Sequence, residues 1–310
     1  MTRITPLLHL AAALLSIFFT FSAAHSNLAY IIIDGSLYHG FDPRPGQINR
    51  PDRVGWSTAN PDAGFVGPAN YSTPEIACHL SGTSTPAHAP VRAGERVHVQ
   101  WNGWPYGHPG PVLSYIAPCE RTTDGCGSVD KAELRWTKID NSGPGFINET
   151  GGPPGRWSSH VMIAQNNSWS VHVPDGLKPG PYVLRHEAIA LHFAKNRGGA
   201  QNYPLCINLW VEEPVSPPTG GTVAPFSLAG GVRAMELYKE DDPGILIDVF
   251  QTLTTYVVPG PTVAAGAMPV AYSMQAQSVS SRDGVPVRVQ GTKTVPFVAK
   301  ITAAEREFRG

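Results

Sequence analysis

Apolar residues fall in short runs along this chain, and stretches rich in glycine, proline, asparagine and aspartate separate them. Leu28 to Ile33 is apolar and β-branched and ends at Asp34-Gly35, which predicts a strand followed by a turn. Residues 36–75 hold few periodic segments and are rich in turn formers, so a long surface loop is expected there; long ordered loops are often functional. Arg96 to Trp101 alternates polar and apolar, the pattern of a half-buried strand, and the turn Ala93-Gly94-Glu95 precedes it. Val112 to Ile116, Ser168 to Val173, Tyr182 to Leu191 and Ile207 to Val211 read as further strands. Strands at this spacing predict an all-β fold, two packed antiparallel sheets in an immunoglobulin-like or fibronectin-type sandwich. Residues 212–222 are Pro/Gly-rich, and Gly244 to Val258 reads as folded again. From Thr262 the pattern fades, so residues 262–310 are expected to form an unstructured C-terminal extension.

The first 24 residues have a different character. Arg3 precedes a mostly apolar run, Leu7 to Phe21, and Ser22-Ala23-Ala24 supplies small residues for cleavage. The run is interrupted by His9, Ser16 and Thr20 and falls short of the roughly 20 apolar residues that span a bilayer. A signal peptide over 1–24 is therefore expected, with a secreted, soluble mature chain that begins at His25 and has no membrane anchor. The 32 glycines and 30 prolines suit short strands joined by many loops rather than helices. A formal charge of −1 argues against a nucleic-acid partner, which would call for a basic face. Cys78, Cys119, Cys126 and Cys206 read as two disulfides, for which three pairings are possible. Cys119 and Cys126 are near enough to close a local loop, which would leave Cys78 with Cys206; a zinc cluster lacks its close C-x-x-C pair. Asn70, Asn148 and Asn166 begin glycosylation sequons.

Candidate chemistry starts at His25. A histidine at a free N-terminus offers a metal two nitrogens, its α-amino group and a ring nitrogen. His108 lies in a Gly/Pro-rich loop, Trp104-Pro105-Tyr106-Gly107-His108-Pro109-Gly110-Pro111, which would fix a ligand at little entropic cost. The plainer reading of His108 is a surface-loop histidine. Gln201 and Tyr203 would share one face of an extended segment that Cys206 staples; the plainer reading makes Tyr203 a core aromatic and Gln201 a turn residue.

Taken in order, His25, Val54-Gly55-Trp56, Trp104-Pro105, His108-Pro109-Gly110-Pro111-Val112, Val129-Asp130-Lys131 and Asn166-Asn167-Ser168-Trp169 resemble the fungal cellulose-active lytic polysaccharide monooxygenases, auxiliary activity family nine. Pro179 to Glu187, Gly199 to Pro204 and Tyr256 to Pro261 continue the resemblance, which covers residues 25–261, read as one catalytic domain. It implies one copper per chain in a histidine brace: the His25 amino group and Nδ1 with His108 Nε2, and Tyr203 on the axial side. His192 and Gln201 would lie just behind them, and the disulfides would be Cys78–Cys206 and Cys119–Cys126. It also implies a monomer with a flat copper site that cleaves cellulose or a related β-1,4-glucan oxidatively at C1 and/or C4. Hydrogen peroxide or dioxygen would be the co-substrate, with a small-molecule or protein electron donor. Nitrogen donors in a planar set suit Cu(II). Gly107 departs from the family, which often has Ser before the ligand. Tyr38, Phe41 and Tyr256 are possible sugar-stacking rings, although the plainer reading of each is core packing. Two other readings compete. A glycoside hydrolase would need a paired set of carboxylates that no motif singles out; a non-catalytic copper- or polysaccharide-binding protein could use the same sandwich.

Overall fold

The computed structural model describes residues 26–119, 122–141, 145–147, 154–214, 224–275 and 279–297. The signal segment, His25 and the Asn148 sequon lie outside these. The described strands are β1 (Leu28–Ile33), β2 (Ser36–His39), β3 (Ala87–Arg92), β4 (Arg96–Trp101), β5 (Val112–Pro118), β6 (Thr137–Asp140), β7 (Phe146–Ile147), β8 (Arg156–Trp157), β9 (Ser168–His172), β10 (Gly180–Ala190), β11 (Gln201–Glu212), β12 (Arg282–Asp283), β13 (Val287–Gln290) and β14 (Lys293–Pro296). Two short helices accompany them, α1 (Glu75–Cys78) and α2 (Ser158–Ala164). One sheet runs β12-β2-β1-β4-β9 and the other β14-β13-β3-β11-β10-β5-β6, with β7 and β8 as a separate pair. Most pairings are antiparallel; β3 joins β11, and β12 joins β2, in parallel. The expected all-β sandwich is the observed architecture.

Local sequence explains the first hairpin. Asp34 (φ 45°) and Gly35 (φ 70°) form a two-residue turn with Ile33 opposite Ser36. Left-handed values at both positions are what the twist of a tight hairpin needs, and Asp-Gly supplies them. The core lies between the sheets and includes Ile31, Val97, Val99, Trp101, Trp169, Leu184 and Ile207. A second cluster around Ile76, Trp136, Trp157 and Tyr238 fills the outer face of the larger sheet under the loops. Both disulfides adopt the pairing suggested by spacing, Cys78–Cys206 and Cys119–Cys126.

Three expectations change. β4 is not half-buried, since Val97 through Trp101 are all buried. The polar side of that strand is covered, and Gln100 donates through Nε2 to the Asn166 carbonyl (2.7 Å). Residues 36–75 are not one surface loop: β2 lies there, and Val54, Trp56, Val66 and Tyr71 are core residues. Finally, the described part of the C-terminal extension is folded onto the domain rather than unstructured. β12 pairs with β2, and β13 pairs with β3 and β14. Gln275 accepts from the Ser170 N–H (2.7 Å), and Val289 and Phe297 are buried. Edge pairing uses backbone groups, so it needs no apolar period in the added segment. That is why a fading pattern did not reveal it.

Candidate metal centre

The ladder between β5 and β10 sets the centre. Val112 lies opposite Ala188, and the pairing continues past the end of β5: the Ile189 N–H donates to the Pro111 carbonyl (3.1 Å) and the Leu191 N–H to that of Pro109 (2.9 Å). The backbones approach closely here. A Cβ on Gly110 would lie 1.8 Å from the Ile189 carbonyl oxygen, so only glycine fits. This continuation carries His192 against His108, with ring centroids 3.9 Å apart and planes inclined by 38°. Across the hairpin Ala190 faces Gln201, the first residue of β11, and the Tyr203 hydroxyl donates to Gln201 Oε1 (3.2 Å). His108, His192, Gln201 and Tyr203 are thus brought together by three neighbouring strand ends.

Each member has a defined setting. His108 is buried. Its N–H closes a turn to the Pro105 carbonyl (3.0 Å), and its own carbonyl accepts from Trp104 Nε1 (3.0 Å). Tyr203 is fully buried, with Trp104 edge-on at 4.9 Å and Phe65 at 6.2 Å. Burial raises its phenol pKa above the ordinary range, so the hydroxyl stays a donor. His192 is half-buried, and burial lowers its pKa, which favours the neutral imidazole. Its Nδ1 has no hydrogen-bond partner among the described residues.

The start of the described chain meets the same loop. The Asn27 N–H and the Ser26 hydroxyl both donate to Asn102 Oδ1 (3.0 Å each), and the Asn102 N–H donates to the Asn27 carbonyl (3.1 Å). Asn102 Nδ2 donates to Asn27 Oδ1 (2.5 Å), and the Ser26 hydroxyl also reaches the Gly103 carbonyl. The two residues after His25 are therefore tied to the base of the loop that carries His108. Nothing in the sequence pattern singled out Asn102.

Among the described residues, no three His, Cys, Asp or Glu side chains gather to hold a metal. A metal here needs a further ligand from outside them. The donors present are imidazole, amide and phenol, with all four cysteines in disulfides. An imidazole-rich set without thiolate fits copper. Glu187, the nearest carboxylate along β10, is sealed away. It accepts from Arg185 (2.6 and 3.0 Å), Asn202 (2.8 Å) and Tyr238 (2.5 Å), with no exposure.

Exposed rings flank the centre. Tyr38 and Tyr256 belong to the core, with 7% of their surface exposed, as the core-packing reading has it, and Phe41 is half-buried. Tyr106 (72%), Phe193 (58%) and Phe65 (38%) are exposed instead, and Phe193 lies 4.3 Å from the His192 ring. Of the other marked positions, Asn70 is half-buried and Asn166 exposed. No helix among the described residues is long and apolar enough to cross a membrane.

A β-sandwich with two imidazoles, an amide and a phenol gathered at its strand ends defines the class: a sandwich protein whose candidate site is carried by loops at one end of the sheets. The profile of Auxiliary Activity family 9 (formerly GH61) matches residues 25–256. The chain is 44% identical over 245 residues to an AA9 family lytic polysaccharide monooxygenase A of Malbranchea cinnamomea, covering 78% of this chain and 69% of that protein. It is also 44% identical over 244 residues to the corresponding protein of Thermoascus aurantiacus, covering 78% of this chain and 100% of the relative. Its structure superposes on the extended catalytic domain of H. jecorina LPMO9A with a TM-score of 0.72 at 41% identity, over 84% of this chain and 98% of that one. The chain belongs to Auxiliary Activity family 9 and is a copper-dependent polysaccharide monooxygenase that draws on an external reductant.

Proposed function

We propose that this chain is a secreted, monomeric enzyme that cleaves the β-1,4-glucan chains of cellulose at C1 and/or C4, with copper held by His25, His108 and Tyr203. His25 would contribute its amino group and Nδ1, and His108 its Nε2. Copper bound there would supply one-electron redox chemistry, accepting an electron from the reductant and passing it to hydrogen peroxide or dioxygen.

One observation carries the assignment. Ser26 and Asn27 are bonded to Asn102 and Gly103, the residues just before the His108 loop. A chain that starts at His25 has its terminal amine next to that anchor. The family profile also begins at residue 25.

The surrounding side chains have distinct tasks. Neutral His192 can donate one hydrogen bond to an oxygen co-substrate, and the Gln201 amide another. Tyr203 holds Gln201 through Oε1, which leaves the amide NH2 free to turn outward. Outer partners of this kind orient the reacting species and typically alter activity by about 10- to 100-fold when removed. Tyr106, Phe193 and Phe65 present ring faces to which the apolar faces of pyranose units can stack.

N-terminal sequencing of the secreted protein, with a copper count, tests the assignment: His25 first and one copper per chain are expected. Cellulose degraded with reductant should yield oxidised sugar ends, whereas plain reducing ends formed without reductant would refute the chemistry. His192→Ala is expected to keep copper and lose most turnover; full turnover in that variant would remove His192 from the mechanism.

A further inference from the structure

Helix α2 sits beside the His108 loop and grips it at several points. On one side of His108, the Ser159 N–H donates to the Gly110 carbonyl (3.1 Å) while the Gly110 N–H donates to Ser159 Oγ (3.1 Å). On the other side, His160 Nε2 donates to the Tyr106 carbonyl (3.1 Å). Beyond the helix, Asn167 Oδ1 accepts from the Trp104 N–H (2.9 Å). The loop backbone is thus held four and two residues before His108 and two residues after it.

His160 is suited to this task. Its Nδ1 accepts from the Trp157 N–H (3.2 Å), so the ring proton lies on Nε2 and points at Tyr106. Its ring also stacks on that of Tyr106, with centroids 4.4 Å apart and planes within 21°. Tyr106 is therefore fixed through both backbone and ring although it is 72% exposed, and His160 itself is buried. A single neutral imidazole supplies the acceptor, the donor and the flat face at once.

We propose that Ser159 and His160 are positioning residues for the copper centre. By fixing the loop on both sides of His108 they leave its imidazole little freedom beyond its own side-chain rotation. The inference rests on His108 being a copper ligand. Pre-positioning of this kind lowers the ordering cost of binding, so its loss should appear in affinity before it appears in folding.

The test is Cu(II) titration with a competing chelator, the Cu(II) paramagnetic resonance spectrum, and thermal unfolding of the copper-free protein. His160→Phe keeps the stacked ring and removes the donor. It is expected to weaken copper binding about 10-fold and to shift the copper hyperfine splitting. His160→Gln restores a donor toward Tyr106 and is expected to recover most of that loss. Wild-type affinity and spectrum in His160→Phe would overturn the proposal. If that variant does not fold, Ser159→Ala reads the other grip, and there too unchanged affinity and spectrum would overturn it. His108→Ala in the same titration separates the two layers. Wild-type copper affinity in that variant removes the ligand assignment itself, whereas loss there beside an unaffected His160→Phe removes only the positioning role.

Discussion

The two disulfides close loops of very different length, and that contrast makes a quantitative prediction. Cys78–Cys206 spans 128 residues and Cys119–Cys126 spans 7. If a cross-link acts by restricting the unfolded chain, loop-closure entropy gives about 4.9 kcal/mol for the long bridge and about 2.4 kcal/mol for the short one at 25 °C. All four cysteines are buried, so replacing each pair by alanine removes a similar amount of packed sulfur from both places. The difference between the two double variants, about 2.5 kcal/mol, therefore isolates loop length. Guanidinium unfolding under non-reducing conditions measures it, with the slope checked for changes in the unfolded ensemble. The variant lacking Cys78 and Cys206 should lose about twice as much stability as the one lacking Cys119 and Cys126. Equal losses, or a larger loss from the short bridge, would refute the entropic reasoning.

Further outcomes follow from buried charge, buried imidazoles and one open glycine. Glu187→Ala leaves Arg185 as an unpaired charge with no exposure, so a loss of about 3–5 kcal/mol is expected in urea unfolding; a loss under 1 kcal/mol would contradict it. Burial lowers the pKa of His79 and His88 to about 4 and of His186 to about 3, from 6.5 in the unfolded chain. Between those values the unfolded chain binds protons that the native protein refuses. Stability is therefore full above pH 6.5 and falls as pH drops toward 4, by about 3 kcal/mol for each of His79 and His88. A series of unfolding curves from pH 7 to 4 checks this, and a flat profile would exclude it. Gly107→Ser restores the residue common in the family. An added Cβ meets nothing within 4 Å and the backbone is not left-handed, so the melting temperature should rise by about 1–3 °C with copper affinity retained; a fall would mean the loop needs glycine.

The elements legible in the sequence were those whose pattern carries its own reason. Leu28–Ile33 with Asp34-Gly35, Arg96–Trp101 and the long β10 all stand where apolar runs and turn residues put them. β3 was hidden because Pro90 interrupts it, and it joins β11 in parallel, at a distance no local pattern encodes. The folded tail was hidden because edge pairing depends on backbone groups. Within the candidate site, His108, His192, Gln201 and Tyr203 were legible as side-chain types within motifs. Asn102, Ser159 and His160 were not, since they act on backbone carbonyls and amides of residues far away in the chain. Ring exposure was equally illegible: Tyr38 and Tyr106 look alike in sequence, and only packing turns one inward and the other outward.

The late strands β12 and β13 also bear on how this molecule lives among copies of itself. They occupy the free margins of β2 and β3, and what they leave outermost is a two-residue strand, Arg282–Asp283, and a strand carrying Lys293 and Pro296. Short, charged and proline-bearing borders resist recruitment of a second chain. A version trimmed after Pro261 would bare two longer rows of amides and carbonyls, and its shelf life in concentrated solution would suffer before its chemistry did.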